Sequence, residues 1–131
     1  MIKNYYDIII IGAGVSGLIL ANEIIERTNK KVLILEKQKN LNSGKNLCFW
    51  NKPKNILTKH VDNKWKNICV LINDKKIKLQ SKGIEYLRIK SENLSNFFLK
   101  KLKKKKKFSL IMNQKIISLR NKKDLIKINS N

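Results

Sequence analysis

Three glycines, Gly12, Gly14 and Gly17, stand between the apolar run Ile8-Ile9-Ile10-Ile11 and an amphipathic stretch. That junction restricts the fold more than any other feature of the chain. An unbroken β-branched run reads as a strand buried on both faces, because a one-sided strand would alternate apolar with polar residues. The strand is expected over Tyr6 to Ile11, and the glycines after it form a tight turn. From about Val15 to Arg27 the apolar residues Leu18, Ala21 and Ile25 recur at helical spacing. Asn29-Lys30-Lys31 ends the helix, and Val32-Leu33-Ile34-Leu35 reads as a second buried strand. Strand, turn, helix and strand at about 5–37 make a βαβ unit.

Within G-x-G-x-x-G each glycine has a separate physical task. Gly12 permits the tight exit from the strand, Gly14 lets a diphosphate approach the backbone, and Gly17 lets helix and strand pack closely. Val15, Ser16 and Gly17 then offer backbone N–H groups at a helix start, where the dipole favours an anion. Glu36 lies 19 residues beyond Gly17, at the end of the second strand, where a carboxylate can accept hydrogen bonds from adenosine ribose hydroxyls. The same charge repels a 2′-phosphate, which disfavours NADP at this place. The candidate cofactor-binding residues are therefore Gly12, Gly14, Val15, Ser16, Gly17, Glu36 and the adjoining Lys37. No catalytic residue and no metal site is assigned.

Beyond this unit the signals are weaker. Lys37 to Lys66 reads as loop with short elements, its one apolar patch being Cys48-Phe49-Trp50. Ile68 to Ile72 and Lys75 to Leu79 form a hairpin around Asn73-Asp74. Ile84 to Lys90 alternates as a strand. Ser91-Glu92 opens a helix at about 91–105, with Leu94, Phe97, Phe98 and Leu102 as its core face. Phe108 to Met112, Lys115 to Leu119 and Leu125 to Ile128 read as strands, the last two linked by Arg120 to Asp124. Cys48, between Leu47 and Phe49, reads as a buried small hydrophobe, whereas Phe49 and Trp50 belong either to the core or to the wall of an apolar pocket. His60 is the single histidine, and the sequence supports no dyad or metal site around it. The two cysteines, Cys48 and Cys69, form no CxxC pattern and read as reduced thiols of a cytosolic protein. The fold class is α/β: a Rossmann-type βαβ unit followed by a partial β-rich segment, all within one partial domain.

The chain has 131 residues, with 30 Lys and Arg against 9 Asp and Glu, a net charge of +21. Such a field draws a chain toward anionic lipid or nucleic acid. Lys, Ile and Asn share A- and T-rich codons and fill about half of the sequence, and only Arg27, Arg88 and Arg120 are arginines, so the skew reads first as codon bias. The lysine run from Lys100 to Lys107 reads as a solvated helix end, then as a contact for anionic headgroups. No specific nucleic-acid binding is expected, because no aromatics interleave with these lysines. No stretch approaches 18 apolar residues, so no membrane-spanning helix is expected, and the run of four isoleucines near the start, soon broken by glycines, is too short for a signal peptide.

The segments Asp7 to Leu18 and Val32 to Lys37 resemble FAD-dependent oxidoreductases of the glutathione-reductase-like Rossmann superfamily. More narrowly, Asn46-Leu47-Cys48-Phe49-Trp50 resembles the Cys-Phe-Trp segment of lycopene cyclases. Trp65 ahead of the Cys69 to Leu79 strands, and Tyr86 to Ser91, are similar to that family as well, with Lys90 where the family usually has Arg. The resemblance implies a Rossmann-type FAD-binding unit, with NAD(P)H as reductant, and a carotenoid-pathway enzyme that cyclises the ends of lycopene without net redox change. It further implies a cytoplasmic protein, peripheral at the inner face of an anionic membrane. The similarity covers about the first third of the family's length, so the catalytic region is expected in a missing C-terminal portion or partner chain. Two alternatives stand beside this reading. One is another FAD-dependent oxidoreductase or monooxygenase, and the other a non-enzymatic basic module that binds membrane or nucleic acid.

Overall fold

The structure is a computed structural model that describes residues 5–41, 44–51, 56–80, 83–123 and 125–131. The chain divides into two compact units, one of Met1–Asn42 with Ser95–Asn131 and the other of Ser43–Leu94.

In the first unit, β1 (Ile8–Ile11), α1 (Val15–Arg27) and β2 (Val32–Leu35) form the expected βαβ crossover. β1 and β2 run parallel with Ile8 opposite Val32 and Ile11 opposite Leu35, and β2 pairs in parallel with β8 (Phe108–Ile111) on its other side. Ile8, Ile10, Val32, Ile34, Phe108 and Leu110 share one sheet face. All six belong to the core formed with Leu18 and Ala21 of α1 and with Phe98, Leu99 and Leu102.

β1 begins two residues later than expected. The Asp7 carboxylate accepts the Lys31 N–H at 2.7 Å, and the N–H groups of Asp7 and Ile8 both donate to the Lys31 carbonyl. The backbone there is already committed, so Tyr6 and Asp7 stay outside the ladder. The expectation that β1 is buried on both faces is also corrected: Ile9 is 37% and Ile11 54% exposed. β2, central in the order β1-β2-β8, is buried throughout, whereas β1 has one strand neighbour among the described residues and packs one face on the core.

α2 (Ser91–Leu102) ends three residues short of the expected limit. Its last turn and lysine-rich continuation are partly committed to α1 and the residues just after it: Lys101 and Lys105 reach Glu26 at 3.6 and 2.9 Å, and Lys107 donates to Asn29. Phe97, expected in the core, is 45% exposed, because the buried positions of the helix are Ser91, Leu94, Ser95 and Leu102. β9 (Ile116–Lys122) and β10 (Leu125–Ser130) pair through Arg120–Lys122, which were expected as linker. Asp124 lies outside the described residues, and Lys123 takes the left-handed φ of a tight turn.

In the second unit, β3 (Asn46–Asn51), β4 (Asn63–Trp65) and β7 (Glu85–Lys90) form an antiparallel sheet with β7 central. β3, β4 and a 3-10 turn at Ile56–His60 thus lie within the region expected as loop, of which 42–43 and 52–55 are outside the described residues. β5 (Asn67–Ile72) and β6 (Lys75–Gln80) form the expected hairpin. Asn73 and Asp74 have φ of 45° and 62°, the left-handed pair that a type I′ turn requires.

Packing and charge are expected to separate in a urea titration. Leu18 is fully buried, so Leu18→Ala should lose about 2–5 kcal/mol. Glu26→Gln should lose far less at neutral pH, since its ion pairs are solvated. The Lys105 hydrogen bond and then the charges of Lys101 and Lys105 hold the Glu26 carboxyl below its ordinary range. Its small contribution should therefore be complete near neutrality and disappear as pH falls through the acidic range. A larger loss from Glu26→Gln than from Leu18→Ala would reverse this ordering.

Candidate cofactor site at the glycine corner

The parallel register places the C-terminal ends of β1 and β2 side by side, with Ile11 opposite Leu35. The chain leaves β1 through Gly12, whose φ of +101° is strained for a side-chain-bearing residue, and its N–H donates to Leu35 O at 2.8 Å. Gly17 answers a different constraint. A Cβ there would lie 2.3 Å from the Gly12 carbonyl oxygen, so the first turn of α1 packs directly on the strand exit.

Gly14 has neither restriction. Its φ of −64° and ψ of 171° suit any residue, and a Cβ there would meet no atom within 4 Å. Nothing inside the protein requires a glycine, and the space beside it is open. The helix that begins here has no side-chain cap and no acidic residue in its first turn. Its first intrahelical bond runs from Leu18 N–H to Gly14 O at 3.0 Å. The first-turn N–H groups, those of Val15, Ser16 and Gly17, precede that bond and have no intrahelical acceptor. A helix start with open space at its cap can bring these groups to an anion.

Glu36 completes the corner. It is only 8% exposed, its Oε2 accepts the Ala13 N–H at 2.7 Å and its Oε1 accepts the Gln38 N–H at 2.8 Å. Each carboxylate oxygen has a further lone pair for a hydroxyl donor. The structure therefore brings together Gly12, Gly14, Val15, Ser16, Gly17 and Glu36. Lys37 is exposed and lines an open depression with Gln38, Asn113, Lys115 and Asn131, and no glycine-corner residue is among that lining. The bond from Ala13 to Glu36 was not foreseen from the sequence. The glutamate was expected only to meet a ribose, and no motif encodes its second task as an internal acceptor.

The expectation of a buried Cys48 is corrected. Cys48 is exposed, because strand alternation turns it outward with Trp50 while Leu47 and Phe49 turn to the other face. Phe49 and Trp50 therefore cannot line the same wall.

The model of the lycopene cyclase protein family matches residues 7–128. The UDP-galactopyranose mutase of Mycoplasma genitalium is 57% identical over 35 residues, which are 27% of this chain and 8% of the mutase. Among solved structures, a probable FAD-dependent monooxygenase, PqsL of Pseudomonas aeruginosa, matches with a TM-score of 0.69 at 18% identity, over 98% of this chain and 39% of that one. The p-nitrophenol 4-monooxygenase PnpA of Pseudomonas putida gives a TM-score of 0.74 at 15% identity, over 94% of this chain and 35% of that one. A geranylgeranyl bacteriochlorophyll reductase-like protein of Thermoplasma acidophilum gives 0.64 at 19% identity, over 96% and 35%. The fold is thus the α/β fold of flavoprotein monooxygenases and reductases, and the chain spans less than two-fifths of the length of each of these structures.

The two glycines should behave oppositely in thermal unfolding. Gly17→Ala, which forces a Cβ onto backbone, should lose at least about 2 kcal/mol. Gly14→Ala should lose about 1 kcal/mol or less, the change of a cap residue. Equal losses at both positions would mean that Gly14 also serves internal packing.

Proposed function

This chain belongs to the lycopene cyclase protein family, and on that footing we propose that it is the FAD-binding N-terminal portion of a lycopene β-cyclase-like flavoprotein of carotenoid biosynthesis. The observation that carries the cofactor is Gly14: an unneeded glycine beside open space, at an uncapped helix start, next to a buried glutamate. The N–H groups of Val15, Ser16 and Gly17 hold the diphosphate, and the absent side chain at Gly14 admits it to the backbone. Glu36 keeps the corner closed through Ala13 and accepts from the ribose with its remaining lone pairs. The flavin, when bound and reduced with NAD(P)H as the electron source, supplies an electron-rich ring system.

Cyclisation of lycopene is an isomerisation. A proton adds to a terminal double bond, the ring closes on the cation, and a proton leaves, so atoms and electrons balance without an oxidant. This chain contributes the dinucleotide end, and none of its residues is assigned to that proton transfer. A second reading, a flavin monooxygenase or reductase, is supported by the fold shared with PqsL, PnpA and the reductase-like protein. Both readings use the same cofactor corner.

Titration of the purified chain with FAD, followed by flavin fluorescence, tests the common premise. The wild type should bind saturably, Gly14→Val should weaken binding by roughly a hundredfold, and Glu36→Gln by about tenfold, as expected for loss of a charged acceptor. Binding that is unchanged in both variants would remove the corner as the cofactor site. Product analysis of the full-length flavoprotein with lycopene then separates the two reactions: a cyclised product supports the first reading, and an oxygenated or reduced one the second.

A further inference from the structure

The second unit carries a feature that the cofactor corner does not use. Trp50, Tyr86 and Trp65 lie opposite one another on β3, β7 and β4, so alternation puts all three rings on one face of the sheet. The Trp50 and Tyr86 centroids are 5.0 Å apart at 58°, and those of Trp65 and Tyr86 are 6.2 Å apart at 43°. The three rings form one continuous row across three strands. Yet Trp50 remains 47% and Trp65 38% exposed. The opposite face takes the packing, with Leu87 and Ile89 fully buried.

The next row on the same face is Cys48, Arg88 and Asn63. Arg88 donates to Asp62 at 2.9 and 3.2 Å and to Asn63 at 2.6 Å, while its guanidinium carbon stands 6.0 Å from the Trp65 ring centre. Its charge is matched by the Asp62 carboxylate, and its Nε and Nη2 donors are engaged within the fold. The guanidinium thus props the ring and is not left to receive an anion. A stacking surface for nucleotides would need unmatched cations in step with its rings. This row instead presents several π faces with the nearest cation paired to a carboxylate and the next one on that face, Lys90, a full row further from the rings, which suits a neutral, flat ligand longer than a single ring.

We propose that Trp50, Tyr86 and Trp65 form a binding platform for an extended conjugated hydrocarbon, with Arg88 and Asp62 as positioning residues that fix Trp65. The identity of that ligand rests on the polyene-substrate reading given above; the site itself rests on the three rings. Flat conjugated chains gain dispersion contact with stacked rings along their whole length.

The chain has two tryptophans and both are in the row, so its tryptophan emission reports on this surface alone. The purified protein is titrated with lycopene in detergent micelles while FAD binding is followed in the same samples. Lycopene should quench the emission saturably, and squalene, which lacks an extended conjugated system, should compete poorly. Tyr86→Leu, which keeps apolar bulk but removes the central ring, should weaken lycopene binding by about fivefold to tenfold. Phe97→Ala, at an exposed aromatic in the other unit, should leave it unchanged. Asp62→Asn should weaken it and shift the Trp65 emission, by loosening Arg88. Unchanged binding in Tyr86→Leu, or squalene competing equally with lycopene, would overturn the platform and leave the substrate reading intact. A concentration-dependent blue shift of the emission without ligand would overturn it in favour of a second copy of the chain. Normal FAD binding with no lycopene quenching in the wild type would overturn the platform and the substrate reading together.

Discussion

Glu36 holds the glycine corner in shape before any ligand arrives. Its carboxylate accepts the amide of Ala13, between the first two glycines, and the amide of Gln38 just beyond the strand. A buried carboxylate with both oxygens engaged is a fixed acceptor, and fixing it also fixes the loop. The corner therefore does not need to be ordered by the ligand. The parallel pairing of β1 with β2 brings these groups together, because it sets Ile11 beside Leu35 and so the glycine exit beside the glutamate. Gly17 then lets α1 approach the strand exit, which a Cβ would prevent. Remove the register or the close approach and the three glycines no longer address one point.

The same sheet shows how unequal its two faces are. Ile8, Ile10, Val32, Ile34, Phe108 and Leu110 are all gathered by the helices into one core. On the other face Ile9, Ile11 and Ile111 remain substantially exposed, at 37%, 54% and 44%. Parallel sheets ordinarily bury both faces, and the isoleucine run has the composition of such a strand. Composition therefore reports what a strand can bury, while the described packing reports what lies against it.

The βαβ unit was legible because its signals are local and agree with one another: a β-branched run, three spaced glycines, a helical repeat and a second apolar run. The Asn73-Asp74 hairpin was legible for the same reason, since two residues at positive φ are what the turn demands. β3 was not, because Asn46 to Asn51 pairs with β7 across a long stretch of sequence and its alternation is brief. The exposure of Cys48 follows from that missed pairing, since the face a residue occupies is set by the partner strand. Phe97 was misplaced because the helix buries Ser95 in its stead, a choice that apolar counting cannot anticipate. At the corner, the positions were legible from spacing, whereas the Ala13 to Glu36 bond depends on how the parallel strands bring the loop beside the carboxylate.

With a charge of +21 and a lysine run at Lys100 to Lys107, this protein has two places where a diphosphate can be attracted. A ¹H–¹⁵N correlation spectrum recorded during titration with ADP distinguishes them residue by residue. Saturable shifts of the amides of Gly14, Val15, Ser16 and Gly17, persisting in moderate salt while the lysine run stays still, are the predicted result. Shifts confined to Lys100 to Lys107 and abolished by salt would contradict the account, since they would reduce the binding to charge alone.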